Sequence, residues 1–407
     1  MNDLVIIGGG PGGYHAAIRA AQLDLKAIII EKDVLGGVCL NRGCIPTKTL
    51  LSETRLVSKV NRSNLFDFKG RIPVRFDRLI NRKNRVIKRL VKGLEYLVEK
   101  HRVQIIYGRG AVVDHGVVEV TRNGDSAIKL EAENIVIATG SAPSSVPGIE
   151  IDGRRVLSSD HILDLSELPA SLAIIGGGYI GMEFATIFSN LGTKVHVLEM
   201  LPGILASVEP EISSLTGKAL RRKGVKIHTE TRIQDISEVE GIKTITFETR
   251  EGVNEIGVEK ILCAVGRTPF TDGWMVEAGL EIDQGKGIRV NSCLETNIPG
   301  VYAVGDVKGG ILLAHVASAE GVRVVENLVG PRKEMDYRLV PFCIFTQPEI
   351  VFIGLTEGKA RKQHDVKVGG GVFLIRFINC EEIAISGWTL TKRAVKGGCF
   401  ICFRKAY

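Results

Sequence analysis

The chain of 407 residues has no charged leader, no small-residue cleavage site and no run of about eighteen apolar residues. These absences argue against a secretory signal and a membrane-spanning helix, and they predict the cytoplasm as the compartment. Eight cysteines in a cytoplasmic protein do not predict a framework of structural disulfides. Any disulfide in this chain is therefore expected to be catalytic.

A nucleic-acid site is also unsupported, although the formal net charge is +7. Residues 71–102 carry eleven Lys and Arg against three acids, and apolar residues recur among them at helical spacing. No aromatic platform or nucleic-acid motif accompanies this charge. The pattern predicts an amphipathic helix with a solvated basic face in preference to a nucleic-acid site.

What the chain has in abundance is glycine, with 47 residues, and one pattern uses it twice. Residues 4–31 align without a gap to residues 172–199 and are identical at eleven of twenty-eight positions. Each copy reads as a strand, a glycine turn, a helix, a second strand and a terminal acid. With a length that favours two or three domains, this predicts an α/β fold with two Rossmann-like dinucleotide-binding domains.

Each copy places its residues where a dinucleotide needs them. The first glycine allows a tight strand-to-helix turn, the second lets the backbone approach a pyrophosphate, and the third lets the helix pack on the strand. The acid can accept hydrogen bonds from ribose hydroxyls. The candidates are Gly8, Gly10, Gly13 and Glu31 in the first copy and Gly176, Gly178, Gly181 and Glu199 in the second.

A second, shorter pair of similar segments follows the two copies of the repeat. Residues 135–143 and 261–269 both run from an apolar strand to a glycine, Gly140 or Gly266, and then to a proline. Two adjoining nucleotide sites suit a bound flavin that is reduced by a bound nicotinamide. The predicted domains are 1–145 (first nucleotide domain), 146–266 (second nucleotide domain), 267–336 (return to the first) and 337–407 (C-terminal domain).

The candidate redox centre is the segment GGVCLNRGCIPTK, residues 36–48. A disulfide between Cys39 and Cys44 would close a very small ring, which gains little from loop-closure entropy and is easily reduced. Cys44 also opens a predicted helix, whose N-terminus stabilises a thiolate. A metal site is the competing interpretation, but it needs further ligands, and no histidine lies between His15 and His101.

This segment resembles the GGTCLNxGCIPSK signature of the class I pyridine nucleotide–disulfide oxidoreductases, most closely the dihydrolipoamide-oxidising members. The resemblance covers residues 1 to about 357 and implies that the first copy binds FAD. Cys39 would be the thiol that meets the dithiol substrate, and Cys44 the thiol that faces the flavin. The remaining implied positions are Lys48 beside the flavin and paired with Glu183, Asp306 at the ribityl chain, and Ala314 and His315 at a helix N-terminus against the flavin ring.

The second copy is expected to bind NAD. An acid at Glu199 accepts from a free 2′-hydroxyl but would repel a 2′-phosphate, which requires an arginine instead. His196 and Lys194 are close in sequence and do not replace that acid. This prediction disfavours NADP-dependent relatives.

The C-terminal segment departs from the family. Residues 338–357 resemble the start of an α+β interface domain, and after about residue 368 the resemblance becomes fragmentary. The His-Pro-His-Pro-Thr run that supplies the family's general base is absent from the sequence. We expect a frame disruption near residue 370, with a natural diaphorase or a divergent domain as alternatives. Cys399 and Cys402 form a CxxC that is a chance spacing or a second redox pair.

The resemblance implies oxidation of dihydrolipoamide with NAD⁺, in the service of a 2-oxoacid dehydrogenase or glycine-cleavage complex. Family members are homodimers, whereas an incomplete interface domain predicts a monomer or poor solubility for this chain. Loss of the base predicts lipoamide turnover weaker by roughly 10²–10⁴. Another disulfide reductase of the same class, a diaphorase, and a non-catalytic FAD- and NAD-binding remnant remain the alternative functions.

Overall fold

A computed structural model describes residues 2–65, 72–122, 127–283, 285–362 and 365, together with the backbone of 368–370, 376–378 and 400–402. Cys399 of the CxxC lies outside the described residues, and only the backbone of Cys402 is described. In the part of the chain that is described, no helix is long and apolar enough to cross a membrane.

The helices alternate with strands through most of the chain. They are α1 (Pro11–Gln22), α2 (Gly37–Arg42), α3 (Cys44–Asn61), α4 (Phe76–Lys100), α5 (Tyr179–Leu191), α6 (Pro210–Arg221), α7 (Gly273–Glu277), α8 (Ala314–Val329) and α9 (Glu357–Ala360), with 3-10 turns at His161–Asp164 and Gly305–Lys308.

The strands up to residue 200 are β1 (Asn2–Ile7), β2 (Ala27–Glu31), β3 (Gln104–Tyr107), β4 (Arg109–Asp114), β5 (Val117–Thr121), β6 (Ile128–Ile137), β7 (Ser141–Pro143), β8 (Val156–Leu157), β9 (Ser171–Ile175) and β10 (Lys194–Leu198). Those beyond it are β11 (Lys226–His228), β12 (Arg232–Val239), β13 (Ile242–Thr249), β14 (Gly252–Val258), β15 (Lys260–Cys263), β16 (Arg267–Pro269), β17 (Ile282–Asp283), β18 (Gly287–Ile288), β19 (Val301–Ala303), β20 (Pro341–Ile344), β21 (Ile350–Ile353), β22 (Val368–Gly370), β23 (Arg376–Ile378) and β24 (Phe400–Cys402).

The chain forms two compact units. The first comprises Met1–Thr49, Arg78–Ser144 and Arg267–Met335. The second comprises Leu50–Asp77, Ser145–Gly266 and Asp336–Tyr407. The chain thus leaves the first unit after Thr49 and again after Ser144, and it returns each time. The finer division into three domains stays a prediction.

The first unit is built on a sheet with a parallel core in the order β3-β2-β1-β6-β19. The antiparallel strands β5 and β4 extend it beyond the first half of β6. Leu4 and Ile6 belong to one buried cluster, and Val5 and Ile7 belong to another. Because both faces of β1 are covered, the strand reads as a continuous apolar run rather than an alternating one.

The second unit repeats this plan around the parallel sheet β11-β10-β9-β15-β8. An antiparallel sheet of β12, β13 and β14 packs its Ile245 and Phe247 into the same buried cluster as Ala173 and Ile175. Two parallel sheets, with α1 following β1 in one and α5 following β9 in the other, confirm the expected α/β fold with two Rossmann-like regions.

The C-terminal part of the second unit contains antiparallel strands. Residues 341–353 form the hairpin of β20 and β21, and β23 pairs with both β22 and β24.

The predicted basic helix is also present, as α4. Leu79 and Val98 on its apolar face are buried, while Arg78, Arg85 and Lys92 on the opposite face are exposed.

Candidate functional site

The two copies of the repeat form two glycine loops with the same backbone conformation. In the first loop Gly8 has φ +110°, and its N–H donates to Ile30 O at 2.8 Å. In the second loop Gly176 has φ +106°, and its N–H donates to Leu198 O at the same distance. Only glycine adopts this conformation without strain. The sequence repeat is therefore a structural repeat, down to individual hydrogen bonds.

Close backbone approach explains two further glycines in the pattern. A Cβ on Gly13 would overlap the carbonyl oxygen of Gly8, and a Cβ on Gly181 would overlap that of Gly176. Each helix therefore packs directly on the strand before it, as the pattern predicts.

The middle glycines leave open space at the helix N-termini. Gly10 and Gly178 are the N-caps of α1 and α5 and have nearly identical extended dihedral angles. Among the described residues, a Cβ on Gly178 would meet nothing within 4 Å, and one on Gly10 would meet only Gly37 Cα at 3.7 Å. Each opening exposes backbone N–H groups at the positive end of a helix, which suits the pyrophosphate of a dinucleotide.

The two acids have a function that the sequence reasoning missed. Glu31 Oε2 accepts from Gly9 N at 2.8 Å, and its Oε1 accepts from Asp33 N at 2.8 Å. Glu199 accepts in the same way from Gly177 N at 2.5 Å and from Leu201 N at 2.8 Å. Each carboxylate therefore fixes its own glycine loop, and its remaining lone pairs can still accept from a ribose.

The similar segments 135–143 and 261–269 pack against the two glycine loops. Ala138 N donates to Ile7 O, and Ala264 N donates to Ile175 O, both at 2.8 Å. The carbonyl oxygen of Ala264 lies 2.5 Å from the position that a Cβ on Gly176 would take. The glycines that follow, Gly140 at φ +78° and Gly266 at φ +119°, have open space on their Cα.

A hydrogen-bond chain ties three predicted segments of the first unit together. Arg267 donates through Nε to Ser141 Oγ at 2.8 Å and through a terminal nitrogen to Ser141 O at 2.7 Å. Ser141 Oγ in turn donates to the Asp306 carboxylate at 2.6 Å. Ser141 lies in the segment 135–143 and Arg267 lies in the similar segment 261–269. Neither segment by itself indicates that these two residues are hydrogen-bonded to each other. They hold Asp306 in a fixed orientation.

A buried ion pair supports the Gly305–Asp306 turn. Glu320 on α8 is fully buried, accepts from Gly305 N at 2.6 Å and pairs with Lys308 at 2.9 Å. Helix α8 begins at Ala314, as predicted for the segment that contains His315, and His315 itself is exposed. The sequence reasoning did not identify Glu320 or Lys308, because an isolated acid and lysine carry no motif.

The two candidate redox cysteines lie at a break between helices. Cys39 is in α2, Gly43 interrupts the helix, and Cys44 begins α3, as predicted. The two cysteines are not joined in a disulfide, and both are half-buried. Gly36 N donates to Gly9 O at 2.8 Å, which places the cysteine segment directly against the first glycine loop.

The thiols interact with each other and with charged groups of the same unit. A hydrogen bond to Cys44 is the largest cause that raises the pKa of Cys39, and burial adds to it. The ammonium of Lys48 acts in the opposite direction and lowers that pKa. Burial and the two cysteines raise the pKa of Tyr14 in α1, so its hydroxyl also lies near the thiols. A proton shared by two thiols beside a lysine is a suitable arrangement for thiol–disulfide exchange.

Glu183 is buried in α5 of the second unit. Its Oε1 accepts from Phe345 N at 2.9 Å. The implied pairing of this acid with Lys48 stays a prediction. Among the described residues, no cluster of three or more His, Cys, Asp or Glu is arranged to hold a metal ion.

Comparisons with known proteins agree with this geometry. A family model described as pyridine nucleotide-disulphide oxidoreductase matches residues 2–321. The dihydrolipoyl dehydrogenase of Bacillus subtilis (strain 168) is 38% identical over 371 residues, which cover 90% of this chain and 80% of the relative. The mitochondrial dihydrolipoyl dehydrogenase 1 of Arabidopsis thaliana is 39% identical over 370 residues, which cover 89% and 73%.

A comparison with solved structures agrees with these sequence matches. The chain is similar to the HOCl-induced flavoprotein disulfide reductase RclA from Escherichia coli, in its Cu(II) complex, with a TM-score of 0.80 and 30% identity. The match covers 90% of this chain and 80% of that chain.

Proposed function

This chain belongs to the pyridine nucleotide–disulfide oxidoreductase family, and we propose that it oxidises dihydrolipoamide with NAD⁺ as the final acceptor. The expected enzyme class, an oxidoreductase that uses FAD, NAD and a redox-active cysteine pair, is confirmed by this membership. The particular dithiol and the assignment of each residue are our proposals.

The observation that carries the proposal is the position of the cysteine pair. Cys39 and Cys44 share a hydrogen bond, and their segment is bonded to the backbone of the first glycine loop. A cofactor bound on that loop would lie close to the thiols. Gly8, Gly10, Gly13 and Glu31 would hold FAD in this arrangement, and Asp306 would contact it from the Gly305–Lys308 turn.

The second glycine loop would hold NAD in the same manner, through Gly176, Gly178, Gly181 and Glu199. It is a near copy of the first loop, and its acid is again fixed by two backbone N–H groups. When bound, FAD supplies a two-electron carrier between the enzyme dithiol and NAD⁺.

The chemistry of the cysteines follows from thiol–disulfide exchange. In the oxidised enzyme, a substrate thiolate attacks the Cys39 sulfur, the Cys39–Cys44 bond breaks, and Cys44 leaves as a thiolate. The second substrate thiol then displaces Cys39, so that the substrate leaves as a disulfide and the enzyme keeps the two electrons as a dithiol. Lys48 favours the thiolate form of Cys39 during this exchange.

The relatives are dihydrolipoyl dehydrogenases, and this supports a lipoyl-bearing 2-oxoacid dehydrogenase or glycine-cleavage complex as the partner. We propose the cytoplasm as the compartment and leave the assembly state to experiment. Size-exclusion chromatography with light scattering would distinguish the family homodimer from the monomer that the sequence predicts.

The test compares two activities of the purified chain with FAD bound. Dihydrolipoamide oxidation by NAD⁺ requires both cysteines, whereas NADH oxidation by an artificial acceptor such as ferricyanide requires only the nucleotide sites. Cys39→Ser and Cys44→Ser should therefore abolish the first activity and preserve the second. Cys293→Ser, which changes a half-buried cysteine elsewhere in the first unit, is the matched control.

Dihydrolipoamide turnover that survives in either cysteine variant would contradict the proposal. Ferricyanide activity without dihydrolipoamide turnover in the unmodified chain would support the diaphorase alternative. Absence of both activities, with no FAD bound, would support a non-catalytic remnant.

A further inference from the structure

Lys223, which follows α6 in the second unit, is a half-buried cation whose hydrogen bonds go to neutral acceptors. Its Nζ donates to Asn190 Oδ1 at 3.0 Å and also to Gln347 Oε1. Asn190 is itself buried. Among the described residues no carboxylate pairs with this ammonium. An ammonium has three donors, so one remains after the two amide oxygens are counted.

Two arginines of α3 and its C-terminal end lie near enough to repel this lysine. Burial, Arg62 and Arg55 together lower the pKa of Lys223 to about 8. Arg55 donates to Phe345 O at 3.0 Å, two residues before the amide that Lys223 contacts, and it pairs with Glu349.

The arginines also have unused donors. In the described part of the chain, the Nε of Arg55 is buried and has no hydrogen-bond partner, which is unfavourable for a charged group away from water. The guanidinium of Arg62 is exposed and has no partner within the described ranges. Within the described ranges, the ion pair of Arg55 with Glu349 is the one that involves this cluster, so positive charge is in excess there.

We propose that Lys223, Arg62 and Arg55 form a binding site for a phosphate-like oxyanion. An oxyanion between them would accept from the third Lys223 proton and from the guanidinium donors, and it would neutralise the excess positive charge. A dianion matches that excess better than a monoanion does. The site joins the end of α3, the end of α6 and the turn of the β20–β21 hairpin, so its occupancy would stabilise the second unit.

Inorganic phosphate is the probe for this site. The protein is kept with FAD bound and NAD⁺ saturating, so that phosphate cannot occupy the glycine loops instead. Phosphate should raise the thermal unfolding midpoint in a saturable manner, beyond sodium chloride at equal ionic strength. Acetate is the monoanionic carboxylate arm, and we expect it to bind more weakly than phosphate.

Two variants and one control locate the effect. Lys223→Gln and Arg62→Gln should each weaken phosphate binding, measured by isothermal titration calorimetry, by at least about tenfold, because each removes a charge-assisted hydrogen bond. Lys218→Gln removes an exposed lysine of α6, the helix that precedes Lys223, and should bind phosphate like the unmodified chain. Arg62 lies at an exposed position, so its variant tests the site even where Lys223→Gln fails to fold.

The proposal is overturned if phosphate binds equally to the unmodified chain, Lys223→Gln and Arg62→Gln. A midpoint shift that does not saturate and is matched by sodium chloride would overturn it as well. Binding of acetate as tight as that of phosphate would identify the ligand as a carboxylate and overturn the phosphate-like assignment.

Discussion

The internal repeat offers a matched pair of substitutions, Glu31→Gln and Glu199→Gln, one in each glycine loop. Both oxygens of each carboxylate accept from backbone N–H groups. A glutamine has one acceptor oxygen and one donor nitrogen, so it can satisfy only one of the two N–H groups. The same change should therefore loosen the FAD loop in one variant and the NAD loop in the other.

The size of the effect follows from one lost hydrogen bond to a charged group. Such a bond contributes roughly 1.5–3 kcal/mol, which corresponds to roughly 10- to 150-fold in a binding constant. Glu31 is buried, so we expect its variant at the upper end of that range. Glu199 is partly exposed, and solvent screening places its variant near the lower end, at about tenfold.

The assay measures the two cofactors separately. FAD content is read from flavin absorbance per protein after dialysis, and NADH affinity from the KM of ferricyanide reduction in FAD-loaded enzyme. Glu199→Gln should raise the NADH KM about tenfold and retain FAD, whereas Glu31→Gln should lose FAD on dialysis. Normal FAD retention in Glu31→Gln, or FAD loss in Glu199→Gln with an unchanged NADH KM, would refute the assignment of the loops.

Three further predictions concern stability and thiol reactivity. Glu320→Gln should lower the free energy of unfolding by about 3–5 kcal/mol, because it removes the buried carboxylate that pairs with Lys308 and accepts from Gly305 N; a loss under 1 kcal/mol in urea unfolding would contradict this. Burial lowers the pKa of His196 to about 4, below its value in the unfolded chain, so the folded state binds fewer protons. Stability should therefore be complete above about pH 6.5 and fall as the pH drops towards 4, and His196→Leu should flatten that fall in thermal unfolding. Lys48→Met removes the charge that lowers the pKa of Cys39, so iodoacetamide alkylation of Cys39, followed by mass spectrometry, should shift to higher pH; an unchanged profile would exclude this electrostatic role.

The glycine loops could be predicted from the sequence because their requirements are local. Gly8 and Gly13 are needed by a turn and a contact that involve residues close in the chain. The start of α3 at Cys44 was predicted for the same reason, since a helix boundary depends on neighbouring residues. The resemblance to a known family then added identities that local physics does not specify, such as FAD for the first loop.

Several supporting contacts could not be predicted, because their partners are distant in sequence. Arg267 reaches Ser141 across 126 positions, and Ser141 reaches Asp306 across 165. Glu320 was not identified because a single acid in a helix is most often on the surface. Its complete burial depends on how α8 packs within the first unit.

The sequence by itself determined the fold class, the two nucleotide loops and the position of the redox cysteines, because each rests on a short pattern with one physical solution. Only the tertiary structure decided how these parts are supported. It showed that Glu31 and Glu199 fix their own loops. It also brought Lys223 near Arg55 and Arg62, of which Arg55 pairs with Glu349. Charge compensation depends on every group that folding brings nearby, and a linear sequence does not specify those neighbours.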